Sequence, residues 1–199
     1  MQRPEACDDC ITLRERLVLF SNSGLSTDKI AQMHDSEINV QTFLKHGVRA
    51  DSIYASNVSP QRLTGRGFTG CSTLRKVGFS AIHLCNRRFA SDMASAFGSE
   101  DVIDTFLVSP SDAVLVASEE CCDTLGVSLE KLLDLCAGAP LESLSVLEQT
   151  YDPTALQSVR TVTLLNTGLR APQLKRVGYT LAHVSKTDGT GEEVAKFGF

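Results

Sequence analysis

The sequence predicts an all-α fold, a superhelical array of short capped helices that repeat roughly every ten residues. Three observations predict it. An apolar residue followed by a small or polar one recurs at that spacing, as in Val58-Ser59, Phe68-Thr69 and Phe79-Ser80. Each opening leads to a buried-type Leu, Ile or Val and then to a closing Gly or Asn. Proline falls just after the polar position at Pro60, Pro110, Pro153 and Pro172, where a helix tolerates it best. The period-2 alternation of a β-solenoid is missing, which counts against strands.

Ile11–Phe20 reads as a longer opening helix that caps the array, so residues 1–23 form a cap segment. Leu25-Ser26 with Ile30 is the first repeat, and residues 24–189 hold the repeat units of a single domain spanning 1–199. Val48-Arg49 runs to Ile53 and Asn57, and Val58-Ser59-Pro60 to Leu63 and Gly67. Phe68-Thr69 runs to Leu74 and Gly78, and Phe79-Ser80 to Leu84 and Arg88. A less regular stretch follows. Val127-Ser128 then leads to Leu132 and Gly138, Ala139-Pro140 to Leu144, and Tyr151-Asp152-Pro153 to Leu156. The β-branched segment Val159–Leu165 fits a strand or a buried helix. Leu169-Arg170 leads to Leu174 and Gly178, and Tyr179-Thr180 to Val184 and Gly189. Residues 190–199 make a last turn that docks through Phe197 and Phe199.

Each position has a physical role. Ser, Thr or Asp in second place accepts a hydrogen bond from an orphan N–H of the following turn. The closing Gly adopts the left-handed conformation that ends a helix. Helices this short melt alone, since isolated helices below roughly 12–15 residues are marginal. They must therefore stack, and two units per layer, roughly 20–22 residues, would form a helical hairpin that piles on the next.

Composition agrees with a packed chain. Of the 199 residues, 42% are hydrophobic and 22% charged, which favours folding over disorder. Trp is absent, so aliphatic side chains fill the interior. No apolar run reaches the 18 residues of a membrane span. The start, MQRPEACDDC, is polar and acidic where a secretory signal is basic and then apolar. The expected location is cytoplasmic, with no membrane partner. The cysteines number seven, and several, such as Cys85 and Cys136, lie in apolar segments. That pattern fits reduced, buried thiols better than a disulfide framework.

Charge is segregated along the chain. Residues 44–90 carry eight Lys or Arg against the single acid Asp51, and residues 91–158 carry thirteen acids against the single base Lys131. In the basic block Arg62, Arg66, Arg75, Lys76, Arg87 and Arg88 recur at the repeat period, near the expected helix C-termini. In a solenoid, equivalent positions line one edge, so these six are the candidate binding stripe. Cations at helix C-termini also complement the dipole, by about 0.3–1 kcal/mol each. That explains each residue singly but not the near absence of acids.

Motifs for chemistry do not assemble. Cys7 and Cys10 form a CxxC, but no second ligand pair follows for a structural zinc. Residues 25–47 have a helix-turn-helix flavour without the turn Gly, and Asp28, Asp35 and Glu37 would repel phosphate. Residues 65–70 (GRGFTG) lack the Lys-Ser/Thr of a P-loop and read as a turn between units. His34, His46, His83 and His183 are scattered without nucleophile or carboxylate partners by motif. No catalytic residue, metal ligand or cofactor is therefore assigned. The reading is a non-enzymatic protein-binding or structural scaffold module, in a cytoskeletal or other large assembly. Its partner is an acidic protein surface or the chain's own acidic block in a homo-oligomer. Two alternatives stay open: a nucleic-acid-associated protein using the 44–90 stripe, and an enzyme with no visible motif.

Overall fold

The computed structural model describes residues 10–150, 155–187 and 189–199, and every regular element among them is helical. The chain divides into two compact units, Met1–His83 with Ser91–Phe106, and Leu84–Ala90 with Leu107–Phe199. The first unit contains α1 (Leu13–Leu19), α2 (Thr27–Gln32), α3 (Val40–Lys45), α4 (Ala50–Ala55), α5 (Pro60–Thr64) and α6 (Cys71–Lys76). The eleven-residue α7 (Arg87–Phe97) contributes to both units, and α8 (Ser99–Phe106) belongs to the first. The second holds α9 (Pro110–Val116), α10 (Glu119–Leu125), α11 (Leu129–Leu135) and α12 (Pro140–Gln149). It continues through α13 (Thr161–Asn166), α14 (Ala171–Arg176), α15 (Leu181–Val184) and α16 (Gly191–Ala195). Short 3-10 turns lie at Asp35–Glu37, Ala81–Cys85 and Ala155–Ser158.

Local chemistry starts these helices where the sequence places it. The side chains of Thr12, Ser26, Ser59, Ser109, Ser118, Ser128 and Thr190 each accept from the N–H three residues on. Pro60, Pro110 and Pro140 occupy first-turn positions, where a missing N–H removes no helical bond. Gly67 and Gly78 close their segments at φ +87° and +96°, a region that favours glycine. Val159–Leu165 resolves as helix α13, and Phe197 is buried beyond the last turn. Phe199 sits beneath the Lys175 ammonium, 5.3 Å from the ring centroid. Tyr151, Asp152 and Pro153 fall outside the described residues, and Leu156 of the same repeat is buried in the turn Ala155–Ser158.

Segments with weak caps reveal how the layers stack. Arg49 and Arg170 occupy N-cap positions and their own side chains accept no cap bond, although Gln173 accepts the Arg170 N–H at 2.9 Å. The N–H of the next residue is instead satisfied from far along the chain: Ala50 donates to the Val77 carbonyl and Ala171 to the Phe197 carbonyl, each at 2.8 Å. Val40 donates to the Arg66 carbonyl at 2.9 Å, although Asn39 caps the two N–H groups that follow. In the second unit Gly138 donates likewise to Asn166. The start of one helix therefore meets the end of the second helix after it, so a layer spans three segments. Orphan donors at helix starts must be paired when they are buried, and the carbonyl just before a closing glycine is the group within reach.

The apolar positions of each repeat point inward. In the first unit Phe43 is fully buried, with the Phe20 ring edge-on at 5.8 Å and the Phe68 ring at 5.7 Å. Leu63, Leu74 and Ile53 complete this core with no exposure. In the second unit Leu132, Leu164, Leu174, Tyr179 and Val184 are buried in the same way. Layers here approach closely. A Cβ on Gly189 would lie 2.3 Å from the Thr161 hydroxyl oxygen, so no larger residue fits without displacing α13.

Three local expectations change. The Phe79-Ser80 repeat ends early as the 3-10 turn Ala81–Cys85, and Arg87 and Arg88 begin α7 rather than ending a helix. Ser80 does not cap through its hydroxyl; its N–H donates to Nδ1 of His83, three residues on. Cys85 is exposed, whereas Cys71, Cys121 and Cys136 are the buried thiols.

Candidate functional site

The six cations of the expected stripe separate into different environments. Arg62 and Arg66 face inward. The Arg62 guanidinium grips Glu15 with both ends, at 2.7 and 3.0 Å, and also donates to the Cys10 carbonyl. Arg66 bonds Asp35 at 2.7 Å and the carbonyls of Asp35 and Ile38 at 2.9 and 3.2 Å. Its side chain is 9% exposed. Asp35 also takes Arg16 at 3.3 Å and the Ile11 N–H at 3.0 Å. These two arginines clamp the opening segment onto the following layer. Arg75 and Lys76 lie exposed in the last turn of α6, where the Arg75 guanidinium donates to the Thr105 carbonyl. Arg87 and Arg88 belong to the second unit and are exposed; Arg87 approaches Glu120 only at 3.8 Å across solvent.

The charge blocks find a physical explanation in the layer length. Arg66 and Asp35 are 31 residues apart, and Arg160 and Glu130 are 30 apart. Arg176 meets Glu148 at 3.9 Å in the second unit. Opposite charges therefore alternate along the sequence at about the spacing that brings them face to face. Part of the segregation is internal pairing rather than a surface.

Three outward cations of the first unit lie close in sequence or at one groove, and the six-residue stripe contains only Lys76 of them. Lys45 ends α3, Arg49 precedes α4, and Lys76 ends α6, all exposed. Arg49 and Lys76 line one groove of about 340 Å³ with Leu44, Val48 and Val77, floored at Gly47 and Gly78. Among the described residues, no carboxylate lies within ion-pair distance of Lys45, Arg49 or Lys76. Sequence reasoning missed Lys45 and Arg49. The signal was present: Gly47 and Gly78 close segments three repeats apart, the distance that stacks one on the other.

Other clusters have local roles. A cleft of the first unit, about 1120 Å³, is lined by His34, Asp35, Asn39, Gln61, Arg62 and Arg66 among others. Its polar groups bond the protein itself: Asn39 caps α3, and Gln61 donates to the Asp92 carbonyl. His34 Nδ1 lies 2.8 Å from the Ser36 hydroxyl but also accepts the Ser36 N–H, as a cap of the turn Asp35–Glu37. Asp101 of α8 caps α6 across the layer, accepting the Cys71 N–H where Gly70 has no side chain. Burial pushes the Cys71 thiol up to about 12, with the Asp101 charge adding to it. In the second unit Cys121 donates to the Leu84 and Cys85 carbonyls, each at 3.7 Å. Among the described residues no three His, Cys, Asp or Glu side chains converge to hold a metal. Cys7 lies outside the described residues, and Cys10 is half-buried. Among the described residues no helix is long and apolar enough to cross a membrane.

The chain matches no protein-family model, no curated protein and no solved structure with which it was compared. The reading of the site rests on its geometry.

The arginine clamps make the first unit acid-sensitive. The Arg62 hydrogen bond holds Glu15 down to about 2, against 4.5 for an ordinary glutamate. At Asp35 burial works upward, but the Arg66 hydrogen bond, the Ile11 N–H and the charges of Arg66 and Arg16 leave it lowered. Both carboxyls titrate lower folded than unfolded, so their contribution is present above the unfolded value and lost as pH falls through the folded one. For Glu15 that window runs from 4.5 down to about 2. With its side chain 18% exposed, the contribution at neutral pH is about 2 kcal/mol after screening. Urea titrations at pH 7 and pH 3 should show wild type losing more stability than Glu15→Gln over that interval. Parallel losses would show that Glu15 carries no such linkage.

Proposed function

We propose that this chain is a non-enzymatic protein-binding module. Its units are superhelical stacks of short capped helices, and an acidic partner surface is met by the cations that internal pairing leaves outward. One observation carries the reading. Arg62 and Arg66 are engaged by Glu15 and Asp35, whereas Arg49 and Lys76 line one groove, with Lys45 next in sequence to its Leu44, and among the described residues no acid is in ion-pair contact with these three. Exposed charges of one sign steer an oppositely charged partner and set its register. Each short segment rests on others a layer away, so the stack offers a broad rigid surface.

Immobilised polyglutamate is the direct probe. Wild type should bind it at low salt and release it as ionic strength passes the physiological range, where the screening length is about 8 Å. Arg49→Glu/Lys76→Glu should keep the helical circular dichroism and lose at least about tenfold in affinity, which corresponds to 1.4 kcal/mol. Duplex and single-stranded DNA serve as competitors. Displacement by either at physiological salt would favour the nucleic-acid reading. If polyglutamate fails to bind even at low salt, the module does not recognise acidic surfaces.

A further inference from the structure

We infer that the groove over Gly47 and Gly78 is a peptide site for an acidic segment carrying one apolar anchor, an acidic–apolar–acidic pattern. This rests on the protein-binding reading above and names the ligand class and its seat. The groove combines two features that a purely electrostatic surface lacks. Leu44 stands at its edge 42% exposed. Val48 and Val77 form buried apolar walls beneath it. The two glycines add no side chain there, and neither has an atom within 4 Å of where a Cβ would stand. At about 340 Å³, the groove is at the small end of ligand pockets, enough for one large side chain and its backbone neighbours.

The sign of the field decides the flanking residues. The C-termini of α3 and α6 meet here, and each presents about half a negative charge. Against that total stand Lys45, Arg49, Arg75 and Lys76. Asp104 lies beside Arg75 and Lys76 in the adjoining hollow and offsets one of them. Asp51, the second residue of α4, is exposed and faces His83 at 3.4 Å. The four cations exceed the two dipole ends, Asp104 and Asp51 together, so an anionic segment is attracted where bare helix ends would repel it. Arg75 is steadied by its bond to the Thr105 carbonyl, and Lys76 reaches from the same turn. An extended peptide can set an apolar side chain on Leu44, Val48 and Val77 while its carboxylates reach Arg49 on one flank and Lys76 on the other. A basic or neutral segment gains nothing from that frame.

The test uses two pentapeptides, acetylated and amidated, Glu-Asp-Leu-Asp-Glu and Glu-Asp-Ser-Asp-Glu, titrated into the isotope-labelled full chain. The leucine peptide should bind about tenfold more tightly, the gain expected for part of one leucine side chain leaving water. The amide shifts of Gly47 and Gly78 should move most. Leu44→Ser should remove the preference for leucine and keep the weaker binding of the serine peptide. Lys76→Glu should weaken both peptides. Equal affinities, or shifts centred away from Gly47 and Gly78, would overturn the peptide site while polyglutamate binding still upheld the acidic-partner reading. Loss of polyglutamate binding as well would remove both.

Discussion

Phe43→Ala is expected to lower the unfolding free energy by about 3–5 kcal/mol, the usual cost of deleting a buried aromatic ring. Phe43 has no exposure, and it is the ring shared by the Phe20 and Phe68 contacts. Those three rings come from α3 and from the segments that follow α1 and α5, so the loss is not confined to one helix. The six-residue α3 has too little internal bonding to hold its place without that anchor. The cavity can close only if Phe20 and Phe68 move together, and each is itself fully packed. A shift of the urea midpoint with an unchanged slope would report the loss cleanly. A loss below about 1 kcal/mol would contradict the ring column, since core truncations of this size rarely cost so little.

Arg66→Gln should cost about 3 kcal/mol, at the lower edge of what breaking a buried ion pair costs. The substitution leaves Asp35 with Arg16 at 3.3 Å and the Ile11 N–H, which softens the loss. It also leaves the Asp35 and Ile38 carbonyls without the donors they now have at 2.9 and 3.2 Å. Asp35→Asn should be milder, because an amide oxygen still accepts from Ile11 and Arg66. If Arg66→Gln proves neutral by denaturant titration, Arg66 belongs to the outer surface after all.

The contrast between those residues shows what was legible in the sequence. Caps such as Ser59 and Ser128 could be read because donor and acceptor lie three residues apart, and the intervening turn has one geometry. The buried positions Leu63, Leu74 and Leu84 followed from the repeat spacing for the same local reason. Partners across layers were not legible. Nothing near Arg62 in the sequence announces Glu15, 47 residues earlier, and the stripe therefore included two arginines that face inward. The dipole argument also misplaced Arg87 and Arg88, since it assumed that the Phe79 repeat would end as its neighbours do. A short 3-10 turn intervenes, and the pair begins the next helix instead. Lys45 and Arg49 were overlooked because their significance comes from Lys76, which only the three-segment layer brings beside them.

Within the first unit, Arg62 and Arg66 of the basic block serve as inward clamps, whereas Arg49 and Lys76 line an outward groove. The most direct measurement compares Arg66→Gln with Arg49→Gln/Lys76→Gln, reading polyglutamate affinity and denaturant stability on the same samples at low salt. A crossed result is expected. Arg66→Gln should lose about 3 kcal/mol of stability and hold its affinity within about twofold, a difference below 0.5 kcal/mol. Arg49→Gln/Lys76→Gln should keep its stability within the roughly 0.5 kcal/mol typical of surface changes and lose about tenfold or more in affinity. The opposite pattern, with Arg66 setting affinity and Arg49 and Lys76 setting stability, would contradict it.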